Sequence, residues 1–368
     1  TSSLVGSEMC IRDRYISIYE KRWITLKNGA KKKFNKKSLI AVILCAVIVF
    51  GIVSYDFISG RSSCEKTSVA MGTVVTFNLY GFGAKNDLDK IETEINGLEN
   101  SVLSWRKKGS DVYRINESAG SSVSVSPDTA KIIGQCIDIS DDCGGVFDIT
   151  IGNVTKLWDF GGNNQRLPSD DEIKTALGSV GYKNVSISGN AVRINKGQSL
   201  DLGAVGKGFA CDKIKDLLAK GRTKSAVVSV GGSLLIYGKR TFSVGIVNPD
   251  NDKQSMGTLK LRDTCVSTSG NYEKYFEKDG KRYHHILNAT TGYPATSEFK
   301  SVTVVCSSGL LSDALSTVCY IAGYRKSVDI LKEYDAEAVF IFNNNAVKVT
   351  DGLADKFTVT DDSYTLDK

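Results

Sequence analysis

From about Thr67 onward, short runs of alternating apolar and β-branched residues trade places with stretches whose apolar positions recur every third or fourth residue. The alternation predicts strands at Val69–Tyr80, Ser225–Val230, Thr241–Ile246, Thr258–Leu261 and Ser301–Cys306, because a strand turns successive side chains to opposite faces. The helical spacing predicts an amphipathic helix over Asn86–Val102. Ser126-Pro127-Asp128 opens another that runs to Gly144, with a hydroxyl for the N-cap, a proline in the first turn and an acid for the dipole. Ser169-Asp170-Asp171-Glu172 opens a third, ending near Gly178. Further helices are predicted over Lys207–Lys220, stopped by Gly221, and over Gly309–Ala322. Strands and helices mix without strict βα alternation, so the expected class is α+β and not a doubly wound sheet.

One stretch has no polar position at all. Leu39–Val53 is fifteen apolar residues in a row, which as a helix rise about 22 Å against roughly 30 Å of hydrocarbon. Ser54, Tyr55, Phe57 and Ile58 extend it to spanning length, with Asp56 near the interface. Lysines 31, 32, 33, 36 and 37 precede it, which predicts a cytoplasmic N-terminus, an inner-membrane location and an extracytoplasmic body. Residues 15–38 are thus expected to be a basic cytoplasmic segment and 39–58 a signal anchor or signal-peptide helix. The uncleaved anchor is preferred, because no A-x-A site follows. Arg61-Ser62-Ser63 before Cys64 lacks the apolar and small residues that lipid attachment needs. Residues 1–14 read as a non-native, adapter-like stretch and are set aside.

Charge sharpens this division. The net +6 of the 368-residue chain lies wholly in residues 1–60, and the body's Lys/Arg and Asp/Glu cancel. A neutral body excludes a broad nucleic-acid surface. Seven cysteines lie beyond the leader, an odd number placed mostly in apolar patterns, so buried free thiols are expected. With no C-x-x-C and no histidine cluster, structural zinc is not expected.

The densest chemistry lies in Asp201-Leu-Gly-Ala-Val-Gly-Lys-Gly-Phe-Ala-Cys-Asp212. Glycines 203, 206 and 208 surround Lys207, ahead of a predicted helix N-terminus, which suits a phosphate. The spacing fits neither G-x-x-x-x-G-K-[ST] nor G-x-G-x-x-G, and a plain strand-to-helix turn is equally compatible. Asp313 and Thr317 stand four apart, so a helix puts them on one face, as a hard-oxygen pair or as a solvated edge. His284 and His285 are the only histidines.

Five segments in order make the chain resemble the ApbE family of FAD:protein FMN transferases. They are Met71-Gly72-Thr73; Gly144-Gly145-Val146-Phe147-Asp148-Ile149-Thr150-Ile151-Gly152 with Leu157-Trp158-Asp159-Phe160-Gly161; Asp201–Asp212; Thr268-Ser269-Gly270-Asn271-Tyr272 through His284-His285-Ile286-Leu287-Asn288-Ala289-Thr290-Thr291-Gly292-Tyr293-Pro294; and Ser312-Asp313-Ala314-Leu315-Ser316-Thr317. The resemblance covers roughly residues 66–360. It implies a single large mixed domain of the ApbE type with T-fold-like halves. It also implies FAD as substrate, Mg²⁺ across the pyrophosphate, transfer of FMN to a Ser/Thr hydroxyl of an acceptor flavoprotein (a membrane-associated redox subunit), and release of AMP.

The same resemblance assigns roles to individual residues. Asp313 and Thr317 become Mg²⁺ ligands, with Ser316 near the ion and the Ala204 carbonyl completing the protein's share. His285 becomes the general base and His284 a structural group. Val146, Phe147 and Asp148 touch FAD, as do Asp201 and Lys207; Met71 packs on the flavin nucleotide, Trp105 stacks on a ring, and Leu287 contributes its backbone. Thr268 and Ser269 put hydroxyls beside the site. The chain departs from the family pattern at Trp105, where Tyr or Phe is usual, and at Asn288-Ala289, which replaces Asp-Pro. No Ser/Thr-Gly-Ala-Thr segment is present, so self-modification is not expected. The competing expectations are an FAD pyrophosphatase and a non-catalytic flavin-binding module.

Overall fold

The computed structural model describes residues 62–367. The adapter-like stretch, the basic segment and the apolar run at 39–58 lie outside the described residues. Among the described residues, no helix is long and apolar enough to cross a membrane.

The strands, in chain order, are β1 (Ser63–Ala70), β2 (Thr73–Tyr80), β3 (Ser122–Ser124), β4 (Ser186–Ser188), β5 (Ala191–Arg193), β6 (Ser225–Val230), β7 (Ser233–Gly238), β8 (Phe242–Asn248), β9 (Asn251–Leu261), β10 (Thr264–Gly270), β11 (Tyr275–Lys278), β12 (Lys281–His284), β13 (Phe299–Cys306), β14 (Glu337–Phe342), β15 (Ala346–Val349), β16 (Phe357–Val359) and β17 (Thr365–Leu366). The α-helices are α1 (Ala84–Leu98), α2 (Asp111–Glu117), α3 (Pro127–Asp142), α4 (Gly152–Trp158), α5 (Asp170–Leu177), α6 (Gly206–Lys220), α7 (Gly309–Ala322) and α8 (Tyr324–Glu333).

Nine strands form one sheet in the order β1-β2-β6-β7-β10-β13-β14-β15-β17. Its pairings are antiparallel except β15 with β17. Period-two geometry divides the sheet's side chains between two cores. On β14, Ala338 and Phe340 pack with the α7 residues Leu310, Ala314 and Val318, while Val339 and Ile341 join Met256 and Leu259 of β9. Because both faces are covered, β13 is buried almost throughout. The architecture is a mixed α+β fold, as expected.

The helix starts read from capping residues hold. Ser126 Oγ accepts the Thr129 N–H at 3.1 Å ahead of α3. Ser169 and Glu172 form a reciprocal capping box at α5. All seven cysteines among the described residues are free thiols, five of them buried.

Two expectations need correction. Val69–Tyr80 is not one strand: β1 and β2 form a hairpin around Met71 and Gly72, whose φ values of 53° and 68° make a two-residue turn. Alternation runs unbroken through such a tip, so periodicity does not register the reversal. The helix expected over Asn86–Val102 ends at Leu98 and continues as a π-helical turn, Glu99–Leu103. Thr268, Ser269 and Gly270 close the central strand β10, whose hydroxyl-rich sequence hides its burial.

Candidate active site

A cavity of about 480 Å³ opens where the β1–β2 hairpin tip, the Glu99–Lys107 segment, the 147–160 loop, the turn into α6 and the first turns of α7 converge. It gathers Met71, Trp105, Phe147, Asp148, Asp201, Ala204, Lys207, His285, Leu287, Asp313 and Thr317, eleven residues scattered over most of the chain. Val146 and Ser316 stand behind its wall. The Val146 carbonyl accepts the Ala289 N–H at 3.3 Å, and the fully buried Ser316 hydroxyl donates to the Asp313 carbonyl at 2.8 Å.

Asp313 is the anchor. It is 5 % exposed, and its Oδ2 accepts the Gly208 N–H at 2.8 Å, tying α7 to the N-terminus of α6. Burial raises its carboxyl above the usual range, opposed by the Lys207 charge and by the Gly208 N–H. A hydroxyl ladder lines α7 beside it. Ser267 Oγ bonds Ser312 Oγ at 3.0 Å, and Ser269 Oγ lies 2.8 Å from Ser316 Oγ and 3.2 Å from Thr317 Oγ1. The β10 hydroxyls are therefore near the site, but Ser269 is spent on orienting α7, and Thr268 pairs with Thr303 at 2.9 Å.

Lys207 reaches the same space. Burial lowers its pKa, but the Asp313 and Glu273 carboxylates outweigh this and leave it above its ordinary value. A Cβ placed on Gly232 would lie 3.0 Å from Glu273 Oε1 and 3.6 Å from Lys207 Nζ, so bare backbone there makes room for both. Glu273 opens to solvent through the cavity, yet the protein around it raises its carboxyl, with Lys207 pulling the other way.

The two histidines face different surroundings. His284 is buried, its Nε2 3.2 Å from the Ala295 carbonyl and its ring edge-on to Tyr320, and it does not line this cavity. His285 does line it, and its backbone N–H donates to the Lys274 carbonyl at 3.0 Å. Burial, with Lys207 and Lys274 nearby, lowers the His285 pKa to about 3, which keeps the imidazole neutral. Its Nδ1 is shut off from solvent with no partner, leaving Nε2 as the nitrogen able to face a substrate.

The opposite wall is more rigid than contact roles alone require. Asp148 Oδ1 accepts both the N–H and the hydroxyl of Thr150 at 2.7 Å, and Oδ2 accepts the Tyr182 N–H at 2.8 Å. Its carboxylate thus braces the loop that carries Phe147. Asp201 Oδ1 holds the Gly203 N–H at 2.9 Å. The Arg106 guanidinium stacks 3.8 Å over Trp105 and reaches Asp159 at 3.5 Å, so one indole face is already covered.

Sequence reasoning missed Glu99, Arg106, Lys107, Glu273 and Lys274, all of which line the cavity. Glu273 and Lys274 directly follow Thr268–Tyr272, and continuing that segment by two residues finds them. Glu99 carries no signal, being one acid among several on a helix face.

Among the described residues, no three His, Cys, Asp or Glu side chains cluster as a metal cage. The donor set here is one buried carboxylate, one hydroxyl and a backbone carbonyl. Such a set fits a hard divalent cation that takes its remaining ligands from phosphate and water.

A neutral imidazole, a lysine held charged and the buried carboxylates of Asp148 and Asp313, all lining one cavity in an α+β body, are the groups of an enzyme site. The chain belongs to the ApbE family, whose model matches residues 71–340. It is 30 % identical over 355 residues to the FAD:protein FMN transferase of Treponema pallidum, covering 89 % of this chain and 98 % of that relative. The Klebsiella pneumoniae FAD:protein FMN transferase is 30 % identical over 305 residues, covering 81 % and 95 %. Among solved structures, the ApbE protein of Thermotoga maritima superposes with a TM-score of 0.74 at 30 % identity, covering 79 % of this chain and 98 % of that one. The Pseudomonas stutzeri flavinyl transferase ApbE superposes at 0.70 with 27 % identity, covering 79 % and 95 %. The protein is an enzyme of the transferase class.

Proposed function

We propose that this cavity transfers the FMN portion of FAD to a Ser or Thr hydroxyl of an acceptor flavoprotein and releases AMP. The observation that carries the reading is the convergence of His285, Lys207, Asp313 and Thr317 on one cavity in a chain whose relatives bear that name. His285 Nε2 takes the proton of the acceptor hydroxyl, a role that needs the neutral imidazole its surroundings enforce. The hydroxyl oxygen bonds to the FMN-side phosphorus, the anhydride P–O bond breaks, and its electron pair leaves with AMP. Lys207 offers a fixed positive charge to the pyrophosphate.

Asp313, Thr317 and the Ala204 carbonyl would hold Mg²⁺, with Ser316 behind them as support. When bound, the ion neutralises charge developing on the pyrophosphate oxygens. Met71, Phe147, Trp105, Asp201, Asp148 and the Leu287 backbone shape the space for the rest of the dinucleotide, with Val146 supporting that wall from behind. The apolar run at 39–58 and the basic residues before it support a membrane tether with the catalytic body outside the cytoplasm.

The test is incubation of the protein with FAD, Mg²⁺ and a candidate acceptor, followed by denaturing electrophoresis and mass spectrometry. A denaturation-resistant flavin on acceptor Ser or Thr, with one AMP released per adduct, is the expected result. AMP released at the same rate without acceptor points to hydrolysis, and FAD binding without turnover to a carrier.

A further inference from the structure

We propose that Glu99 is a positioning residue for flavin transfer, whose carboxylate holds the Met71–Gly72 turn in place against the cavity. The inference rests on the functional reading above. Met71 is a non-glycine residue at φ 53°, in the left-handed region where a side chain crowds its own backbone. That conformation costs roughly 1–2 kcal/mol, so something must hold it. The Met71 N–H donates to Glu99 Oε2 at 2.7 Å, across 28 residues of sequence.

Glu99 is itself set up for this contact. It opens the π-helical turn Glu99–Leu103, a departure from α geometry of the kind that often accompanies functional sites. The same segment then feeds Leu103 and Trp105 into the cavity wall. Met71 packs against both the α1/α6 core and the α7 core, so its placement registers one against the other. A Cβ placed on Gly206 would lie 3.5 Å from Leu103 Cδ1 and 3.7 Å from Met71 Cε. Met71 and Leu103 therefore both rest on the residue immediately before Lys207. One carboxylate links the hairpin tip, the π-turn and the turn that presents the lysine.

Charge argues against an incidental role. Glu99 lines a cavity proposed to take an anionic dinucleotide, where a carboxylate repels the ligand unless it contributes in another way. Accepting a backbone N–H at a strained turn is such a contribution.

The experiment compares the full chain with Glu99→Ala, Glu99→Gln and the double variant Glu99→Ala/Met71→Asn. FAD KM and kcat for adduct formation are measured together with amide hydrogen exchange over residues 70–73. Glu99→Ala is expected to raise the FAD KM about tenfold, the equivalent of the strain it no longer offsets, with kcat within about twofold. Exchange at the turn should quicken in parallel. Glu99→Gln keeps an oxygen that accepts the N–H and should restore most of both. Met71→Asn should slow the turn's exchange again, because Asn tolerates the left-handed region, while the FAD KM stays raised because the Met71 side chain is gone from the cavity wall. Should Glu99→Ala fail to fold, Glu99→Asp, one methylene shorter, carries the same expectations. Equal impairment in the Ala and Gln variants with unchanged exchange would overturn the proposal, since Glu99 would then act by charge alone. Wild-type kinetics in every variant would overturn it as well. An absence of adduct with the wild-type chain counts against the functional reading instead, and exchange with FAD affinity still decides the role of Glu99.

Discussion

Gly208 and Gly309 meet backbone to backbone. A Cβ on Gly208 would stand 2.0 Å from the Gly309 carbonyl oxygen, and one on Gly309 would stand 2.2 Å from that of Gly208. Neither residue has a positive φ. Gly208 is therefore required by the crossing of α6 with α7, a demand that its place beside Lys207 in the sequence did not reveal. The crossing brings the Gly208 N–H to Asp313 Oδ2, which binds the lysine-bearing turn to the acid-bearing helix.

Gly208→Ala should be costly for that reason. The obstacle is backbone carbonyl, which cannot rotate away, so overpacking of about 2–3 kcal/mol is expected. Thermal denaturation should show a clear drop in Tm, with FAD affinity falling alongside. A Tm unchanged from wild type would mean the two helices part without penalty.

Asp313→Asn separates charge from shape. The amide oxygen can still accept the Gly208 N–H, so the melting temperature should stay near wild type. The cation site loses its only carboxylate, and Lys207 loses the negative charge that most raises its pKa. Flavin transfer under saturating FAD should fall by about 10²–10³-fold, and the Mg²⁺ concentration for half-maximal rate should rise. Full activity in this variant would remove Asp313 from the proposed site.

His285→Gln should reduce kcat by about 10²–10⁴-fold while leaving the FAD KM within a few-fold. The pKa of about 3 adds a pH signature in the free enzyme. A base with a depressed pKa stays competent as acid is added, so kcat/KM should show no imidazole limb between pH 7 and 5. A limb near pH 6.5 that disappears in the Gln variant would show that His285 titrates normally.

How far the sequence spoke for itself depended on the kind of signal. Caps and periods are local, so the starts of α3 and α5, and strands such as β6, could be read directly. The metal and base candidates were legible because Asp313, Thr317 and His285 sit in recognisable segments, and all three line one cavity. What was lost was non-local or masked. The hairpin at Met71 hides inside an unbroken alternation, and β10 carries too many hydroxyls to look buried. The contacts of Glu99 with Met71 and of Gly208 with Gly309 join positions 28 and 101 residues apart, and no spacing rule reaches that far.

His284 supplies a stability test independent of catalysis. Burial lowers its pKa to about 4 from the ordinary 6.5, helped by the Arg282 charge and opposed by the Ala295 carbonyl. The folded protein thus prefers the neutral ring, while the unfolded chain takes up a proton as soon as pH falls below 6.5. The stabilisation is complete above pH 6.5 and is lost as pH falls toward 4. Between pH 7 and 5, above the usual carboxylate range, the loss is roughly 2 kcal/mol from this one group. His284→Asn cannot take up that proton. Its denaturation midpoint should start lower than wild type at pH 7, because the edge contact with Tyr320 is weakened, but fall less steeply as pH drops to 5. His285 adds a slope of the same sign in both proteins, so the difference between them isolates His284. Parallel pH profiles for the two proteins would mean that the buried imidazole is protonated in the fold without cost.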